Sequence, residues 1–344
     1  MTDTPPSGEP TRTDTSSSSE PTRTDTSPAD ASARTDTSSS GESTRPDILD
    51  CPDCLDPADA FALLGNETRL DILRALWRAD DRPVAFSDLR RAVGMRDSAQ
   101  FNYHLGRLTD QFVTKTADGY DFRYAGEKVV RAVLAGTFTD RREFSLAAPG
   151  RCHDCGGDLV ASYDDERFTI ACADCAATFG RDPFPPGGLA DRDPDEVLAA
   201  FDQHVRHRHC LAADGVCPEC GGRTETELRD GDDALGTEYC VSHCCRQCNH
   251  CVHSPVGLSL LDNSRVVGFC GDHGVELTDH PYWTLAWCVR DDTTTVESRD
   301  PLRVTVGIPL GDERLDVTLD DDLRVLDTTR TSRGADAGGL AEPT

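Results

Sequence analysis

The residues of this chain with the clearest capacity for chemistry are its cysteines, which number 16 in 344 residues. The first group has the pattern C-x2-C-x16-C-x2-C and consists of Cys152, Cys155, Cys172 and Cys175. Four thiolates in two such pairs favour a closed tetrahedral metal site of the structural kind, usually occupied by Zn²⁺. The competing interpretation is a redox dithiol, but that needs a βαβ setting which the sequence does not indicate. We therefore predict a zinc ribbon over residues 150–182, built on a hairpin about Asp164 and Asp165.

A second group begins at Cys217 and Cys220, but its other half is ambiguous because five cysteines crowd between 240 and 251. The pair Cys245 and Cys248 keeps the C-x2-C form and leaves room for a hairpin at 229–233, while Cys248 with Cys251 is the competing pair. We predict a second zinc ribbon whose ligands are Cys217, Cys220, Cys245 and Cys248, and thus one or two structural Zn²⁺ ions. Gly156 and Asn249, each directly after a pair, suit the left-handed turn that such knuckles need.

Other cysteines and histidines are assigned no ligand role. Cys51 and Cys54 form an isolated pair, interpreted as incidental to a linker, although ligation of a distant site or pairing across a dimer is an alternative. The cysteines outside the ribbons could serve a thiol or metal sensor: Cys210, Cys240, Cys244, Cys251 and Cys270. The cluster His204, His207, His209 and Cys210 ends a predicted helix that starts at Asp193-Pro194, where a helix dipole favours such residues, and this is preferred over a metal site.

Catalytic motifs are absent from the sequence. It contains no Gly-rich phosphate loop, no nucleophile elbow and no His-Glu-x-x-His. A closed four-cysteine site also leaves no open metal position for chemistry. We therefore predict that the protein is not an enzyme.

The stretch 97–109 predicts an amphipathic helix that could read DNA. Asp97 or Ser98 can cap it, and Phe101, Leu105 and Leu108 recur on one face, whereas the opposite face is polar and lacks Glu and Lys. Amide, phenol and guanidinium groups suit base edges and phosphates, although an ordinary surface helix is the alternative. The predicted DNA-binding residues, including two from a following hairpin, are Ser98, Gln100, Asn102, Tyr103, Arg107, Lys115 and Arg123.

The neighbouring patterns place this helix in a small module. Helices are predicted at 57–64, at 68–77 and from Phe86 to Gly94 with Ser87 as N-cap, and a tight connection over 93–97 resembles that of a helix-turn-helix. Runs at 112–116 and 120–124 flank Asp118-Gly119 and predict a hairpin. A last helix at 126–138 should turn Val129, Val130, Val133 and Leu134 inward.

Residues 58–143 resemble ArsR-type winged-helix transcriptional regulators, most of all those of halophilic archaea with a cysteine-rich C-terminal half. The resemblance is carried by LGNETRLDILRALW, FSDLRRAVG, SAQFNYHLGRL and the hairpin. It implies a dimeric protein that binds double-stranded DNA through the major groove with a wing on the backbone. The dimer would form through 57–67 or 126–138. Since 86–110 contains no cysteine, the metal-sensing motif of that family is not carried over, and His104 is interpreted as a helix-packing residue.

Composition bounds the remaining possibilities. The net charge is −27 and only two of the cations are lysine, as suits a protein kept soluble in a salty cytoplasm. Nevertheless, residues 69–131 carry twelve Arg and Lys against nine Asp and Glu, so positive charge is concentrated around the candidate DNA-reading helix. Neither a signal peptide nor a membrane span is apparent, and we expect a cytoplasmic protein with no membrane partner.

The predicted fold class is α+β. We predict a disordered Ser/Thr/Asp-rich tail over residues 1–56 and a winged helix-turn-helix domain over 57–143. A zinc ribbon is predicted over 150–182, and a small α/β domain with the second ribbon over 193–330. The chain is polar from Thr328, and residues 331–344 are predicted to form a second tail. Within 193–330 we expect a helix capped by Asn263 or Ser264, and strands over 283–289, 304–308 and 315–319. The predicted function is a sequence-specific DNA-binding transcriptional regulator. The alternatives are a protein-interaction component of the transcription machinery and a thiol- or metal-sensing regulator.

Overall fold

The computed structural model describes residues 55–232 and 236–332. Cys51 and Cys54, interpreted above as an incidental pair, lie outside these residues. So do nearly all residues of both predicted tails. The described residues form a mixed α+β protein with eight α-helices and four small antiparallel sheets. The fold class is therefore confirmed at this level.

Five helices and one hairpin make up the N-terminal part. They are α1 (Pro57–Leu64), α2 (Glu67–Trp77), α3 (Phe86–Ala92), α4 (Ser98–Leu108), β1 (Val113–Lys115), β2 (Tyr120–Phe122) and α5 (Tyr124–Leu134). Asp97 caps α4 through hydrogen bonds from the amides of Ala99 and Gln100, as expected. Ser87 is not an N-cap, because α3 begins at Phe86 after Ala85, which makes no side-chain cap bond.

These elements share one hydrophobic cluster. Its buried members come from every element: Leu63, Ile72, Leu73, Leu76, Leu89, Phe101, Leu105, Leu108, Phe112, Val113, Tyr120, Phe122 and Val130. The hairpin is tied to the chain before α3 because Val84 and Tyr120 exchange backbone hydrogen bonds of 2.8 and 2.9 Å. Helix α5 ends at Leu134, earlier than the predicted residue 138, and Gly136 shortly after it adopts a φ of +80°. The expectation that Leu134 points inward is wrong, because this side chain is exposed.

The first of the larger sheets is a four-stranded meander. Its strands are β3 (Phe144–Arg151), β4 (Asp158–Asp164), β5 (Arg167–Cys172) and β6 (Thr178–Pro183), paired in that order. The predicted hairpin turn is confirmed, since Asp165 and Glu166 take φ of 48° and 52° between β4 and β5. Alternate residues of β4 and β5, such as Tyr163 and Phe168, are buried, so one face of this sheet covers a core.

Helix α6 (Pro194–Ala213) connects this sheet to the next. The helix begins at Pro194 directly after Asp193, as the sequence predicted, and the structure adds a capping box between Asp193 and Glu196. The second sheet has strands β7 (Thr224–Asp232), β8 (Thr237–Cys245) and β9 (Cys251–Ser254). The turn between β7 and β8 therefore falls slightly later than the expected 229–233, and residues 233–235 of it lie outside the described part.

The C-terminal part adds short helical segments and a last sheet. The 3-10 turns of this part are Val256–Leu260, Leu277–Asp279 and Tyr282–Thr284, whereas a further one at Pro186–Leu189 precedes α6. The helices are α7 (Ser264–Asp272) and α8 (Ala286–Val289), and the strands are β10 (Thr294–Arg299), β11 (Leu302–Leu310), β12 (Glu313–Leu319) and β13 (Val325–Ser332). Asn263 caps α7. The chain from Thr328 to Ser332 is thus a strand rather than a loose tail.

The strand expected over 283–289 is wrong. A 3-10 turn and the short helix α8 occupy it, although Trp283 and Trp287 are buried in the core as expected. Both tryptophans are therefore core residues. One continuous hydrophobic cluster runs from Cys152 to Leu319 and joins both cysteine-bearing sheets, α6 and the last sheet.

Candidate metal centres and the exposed face of helix α4

The first cysteine group is assembled as predicted. The four sulfur atoms of Cys152, Cys155, Cys172 and Cys175 lie within 4.8 Å of one another. The Sγ atoms of Cys152 and Cys175 are 3.6 Å apart, and those of Cys155 and Cys172 are 3.5 Å apart. One pair lies between β3 and β4, and the other starts at the last residue of β5 and continues into the turn before β6, so the meander brings the two turns together at one end of the sheet. This tetrad, called the first tetrad below, can hold a metal ion.

The second tetrad consists of Cys217, Cys220, Cys245 and Cys248, again with all sulfurs within 4.8 Å. The Sγ atoms of Cys217 and Cys248 are 3.7 Å apart, and those of Cys220 and Cys245 are 3.5 Å apart. The assignment of Cys245 and Cys248 is the one that the spacing favoured. The competing ligand, Cys251, forms a disulfide with Cys244, its register partner across β8 and β9.

The backbone favours ionisation of one thiol in each tetrad. Amide groups donate to sulfur from Asp174 to Cys172 at 3.3 Å and from Gln247 to Cys245 at 3.3 Å. Hydrogen bonds from the backbone of Cys175 and Asp174 lower the pKa of Cys172 to about 7, against burial. Burial opposes ionisation of Cys245 too, but its backbone donors likewise lower that pKa to about 7. Each tetrad therefore offers a readily formed thiolate.

Each knuckle turns at the residue after its second cysteine. The φ angles there are +77° at Gly156, +59° at Ala176, +74° at Gly221 and +58° at Asn249. The left-handed turns expected at Gly156 and Asn249 are confirmed. Ala176 is the position that pattern reasoning missed, because alanine carries no signal for this conformation.

The exposed face of α4 bears the residues predicted to read DNA. Ser98, Gln100, Asn102 and Arg107 are exposed, and 60% of Tyr103 is accessible. Within the described residues the side chains of Gln100, Asn102 and Arg107 make no hydrogen bond and no ion pair. His104 is buried beside Leu105 and Leu108, consistent with a packing role.

The two cations predicted on the hairpin are placed differently. Lys115 is exposed at the end of β1, with its ammonium group 6.0 Å from the ring centroid of Tyr120. The guanidinium of Arg123 instead donates a hydrogen bond to the carbonyl oxygen of Asp110, which holds the chain between α4 and β1. Lys115 is therefore available to a partner, whereas Arg123 already has a structural contact.

Two family models match the chain. Domain of unknown function (DUF7351) covers residues 149–325, just over half of the sequence, and domain of unknown function (DUF7347) covers residues 57–133. The chain belongs to the DUF7351 family. No curated protein matches it, and no solved structure does.

The DUF7351 match spans both tetrads and stops before the end of β13, so it coincides with the continuous core described above. The DUF7347 match contains α1 to α4, the hairpin and most of α5. Among the described helices, none has the length and apolar character needed to cross a bilayer.

The histidines of α6 are not at a helix end in this DUF7351 protein, so the dipole explanation for them is wrong. The helix continues to Ala213, and within the described residues no group that includes His204, His207, His209 or Cys210 has metal-binding geometry. His209 is 2% exposed, and its Nε2 lies 3.3 Å from Oδ1 of Asp182 on β6. Sequence spacing could not reveal this pair, because Asp182 lies 27 residues earlier and on another element.

Three buried or half-buried cysteines outside the tetrads favour the protonated thiol. Burial, with the nearby Asp262, raises the pKa of Cys210 to about 12, and burial also raises the pKa of Cys270 and Cys288. A thiol that stays protonated is a poor nucleophile and a poor ligand. Among the described cysteines outside the tetrads, Cys244 and Cys251 are joined in a disulfide.

Proposed function

We propose that this protein is a sequence-specific DNA-binding transcriptional regulator with two structural zinc sites. Residues 57–143 would act as a winged helix-turn-helix domain. The order α1-α2-α3-α4-β1-β2-α5 supports this, as does the short connection between α3 and α4, where Gly94 takes a φ of +74°. A hairpin directly after the second helix of such a pair is suited to contact the DNA backbone.

The proposal rests above all on the exposed face of α4. Gln100, Tyr103 and Arg107 are exposed, and no described residue pairs with the Gln100 or Arg107 side chain. An amide and a guanidinium that are not bound to the protein itself can form bidentate contacts with adenine and guanine edges. A helix that merely solvated the surface would be expected to carry more ion-paired Glu and Lys.

Charge supports the same surface. Around α4 the chain has a small excess of cations, whereas the rest of the chain is strongly acidic. Because the rest of the chain is acidic and repels DNA, DNA is expected to approach the protein through the basic module. Because counterion release weakens at high salt, base contacts would supply a large share of the affinity in a salty cell.

We assign the metal as Zn²⁺. Four cysteine sulfurs form a soft, tetrahedral and closed donor set, which suits structural zinc and leaves no position for a substrate. Each tetrad fastens two loops at one end of its sheet, so the ion would stabilise the C-terminal part. The absence of an open coordination position also supports a non-enzymatic role.

A homodimer is the expected assembly. The exposed apolar side chains of the N-terminal part include Phe61 on α1, 75% exposed, and Phe138 after α5, 72% exposed. These two residues lie in the segments 57–67 and 126–138, through which the dimer is expected to form. A dimer would present two copies of α4 to successive major grooves. Sedimentation of Phe61→Ser and Phe138→Ser variants would separate the two candidate surfaces.

The test is in vitro selection with full-length, zinc-loaded protein. One enriched motif is expected, bound at least about 1,000-fold more tightly than random duplex. Equal affinity for both, or none, would contradict the proposal and favour a protein-interaction component of the transcription machinery. Elemental analysis of the same sample should give one zinc per tetrad.

A thiol-sensing regulator is a second candidate, favoured by the Cys244–Cys251 disulfide. Cys244 directly precedes Cys245 of the second tetrad, so opening the disulfide would act beside a metal ligand. If DNA affinity of zinc-loaded protein changes on thiol reduction, and the Cys244→Ser/Cys251→Ser variant does not respond, this candidate is supported. An unchanged affinity would dismiss it.

A further inference from the structure

A groove on the second sheet contains the Cys244–Cys251 disulfide in its wall. Its volume is about 290 Å³, and Ser242 lines it together with both cysteines. Cys244 and Cys251 are half-buried, so neither is sealed from solvent. A disulfide is opened by a thiolate that attacks one of its sulfur atoms, and access of this kind is the first requirement for that reaction.

The disulfide is distinct from the second tetrad, although Cys245 borders the groove as well. Successive side chains of a strand point to opposite faces, so Cys244 and the tetrad residue Cys245 lie on opposite faces of β8. Cys251 is the register partner of Cys244 on β9 and shares its face. The disulfide can therefore open and close without taking a sulfur from the tetrad.

The two sulfur atoms of the disulfide have different neighbours. Sγ of Cys244 lies 3.2 Å from the hydroxyl oxygen of Ser242 on the same strand. Because a disulfide sulfur carries no hydrogen, the hydroxyl is the donor in this contact. Sγ of Cys251 lies 3.7 Å from the backbone carbonyl oxygen of Asn249, which can only accept. A donor thus faces one sulfur and an acceptor faces the other.

This asymmetry determines which sulfur departs when a thiol attacks. Attack on Sγ of Cys251 makes Cys244 the leaving group, and the Ser242 hydroxyl then donates to the sulfur on which negative charge forms. Hydrogen bonds to a charged acceptor are stronger than those to a neutral one, so the contact tightens as the bond breaks. Attack on Cys244 would instead leave the charge on Cys251, beside the carbonyl oxygen of Asn249. The first route is therefore favoured.

The charged walls of the groove are compensated. Glu225 and Glu227 line it, but Glu225 is ion-paired with Arg246, and Glu227 with Arg229 at 3.1 Å. A small thiolate therefore does not meet an uncompensated negative field. An apolar cavity of roughly 150 Å³ takes up benzene, so this groove has room for a thiol of about amino-acid size.

We propose that this groove is a site of reversible S-thiolation, where a small-molecule thiol attacks Cys251 and Ser242 stabilises the departing Cys244. The thiolate sulfur bonds to Sγ of Cys251, the bond between the two cysteines breaks, and its electron pair stays on Cys244, which takes a proton from solvent. A second thiolate attacks the bound small-molecule sulfur, releases the small disulfide and leaves Cys251 reduced. The protein gains two electrons, and the two thiols lose them.

This inference deepens the thiol-sensing candidate, because it names the substrate class and the order of events. It does not depend on DNA binding, since the reaction is measured without DNA. A failure of the exchange chemistry is thus distinguishable from a failure of the proposed DNA recognition.

The test is mass spectrometry of full-length, zinc-loaded protein after brief exposure to 2-mercaptoethanol. The reaction is quenched with acid, and free thiols are then blocked with N-ethylmaleimide. Trypsin cuts after Arg246, so Cys244 and Cys251 fall in different peptides. The mercaptoethanol adduct is expected on Cys251 and the maleimide on Cys244, in about tenfold excess over the reverse arrangement.

Ser242→Ala should slow disulfide opening about tenfold and abolish the preference for Cys251. A general loss of stability would speed opening along both routes, so slower opening with a reduced preference identifies the hydroxyl. Ser254→Ala is the matched control. Both serines are 1% exposed in the same sheet, but Ser254 pairs with Val241 on the opposite face and its hydroxyl has no hydrogen-bond partner among the described residues. This variant should keep the rate and the preference.

The outcomes separate clearly. An adduct on Cys251 whose preference disappears in Ser242→Ala and persists in Ser254→Ala supports the site. No reaction at millimolar thiol, an adduct mainly on Cys244, an equal distribution, or an unaltered preference in Ser242→Ala would overturn it. If Ser242→Ala does not fold, the adduct distribution in the unmodified protein decides.

Discussion

The part of the chain before residue 143 and the part after residue 149 handle polar groups in opposite ways. Among the described residues, His104 is the only buried polar side chain of the first part, whereas the second part buries Asp202, Arg206, His209 and His243 among others. In the first part the amide and guanidinium of α4 face outward without partners. Polar side chains that point outward can recognise a macromolecule, whereas buried polar side chains fix the packing of a core and can line a small cavity.

The same contrast holds for what stabilises each part. The N-terminal part packs around one hydrophobic cluster, and residues 55–151 contain no cysteine. The C-terminal core is bordered by two sulfur tetrads that lie at the ends of its sheets. Loss of metal should therefore destabilise the part after residue 149 and leave the part before residue 143 unchanged. Substitutions in either part can test this difference.

The largest effect is expected for Cys152→Ser. Structural zinc contributes on the order of 10 kcal/mol to the folding of small sites, so the first sheet should unfold locally and bound zinc should fall by one equivalent. Elemental analysis and amide exchange measure this. Cys270→Ala, a buried thiol outside the tetrads, is the control and should keep full zinc content. Full zinc content in Cys152→Ser would discard the site.

The reverse experiment is Phe101→Ala. This side chain is fully buried in the N-terminal cluster, and its truncation should cost about 3–5 kcal/mol. Amide protection should be lost over 57–134 while zinc stoichiometry stays unchanged. If zinc were lost as well, the two parts would not be energetically separate.

A smaller effect is expected for Arg107→Ala, which touches only the recognition surface. It should weaken binding to selected DNA by about 1–3 kcal/mol if the guanidinium contacts a base, with no change in thermal stability. Arg265→Ala, an exposed arginine of α7, serves as control and should bind DNA normally. An unchanged footprint for Arg107→Ala would remove this residue from the readers.

The smallest effect should come from Ala176→Gly. Relief of the left-handed conformation is worth roughly 1 kcal/mol, partly offset by the entropy of glycine, so a net gain of about 0.5 kcal/mol is expected. Chelator competition at the first tetrad measures it. Asn249→Gly should be close to neutral, because asparagine tolerates this conformation. A loss of affinity in Ala176→Gly would show that its methyl group contributes to packing.

Local patterns predicted several elements well. The helix at 57–64, the cap at Asp97, the helix start at Asp193-Pro194 and the turn at Asp165 follow from residues within a few positions of one another. The strand expected over 283–289 failed because the burial of its tryptophans reflects core packing, such as that of Trp283 on Phe201 of α6, rather than a sheet face. A short apolar run carries the same pattern in a strand and in a buried helical turn.

For the candidate sites, the cysteine spacings alone determined the first tetrad and the form of the second, because two-residue spacing suits a knuckle irrespective of what surrounds it. Tertiary structure decided that Cys251 pairs with Cys244, that His209 faces Asp182, and that Tyr282 lies against Gly180. Each of these contacts depends on strand register or on packing between distant elements. Spacing along the chain encodes local geometry, while only the folded core determines which distant side chains meet.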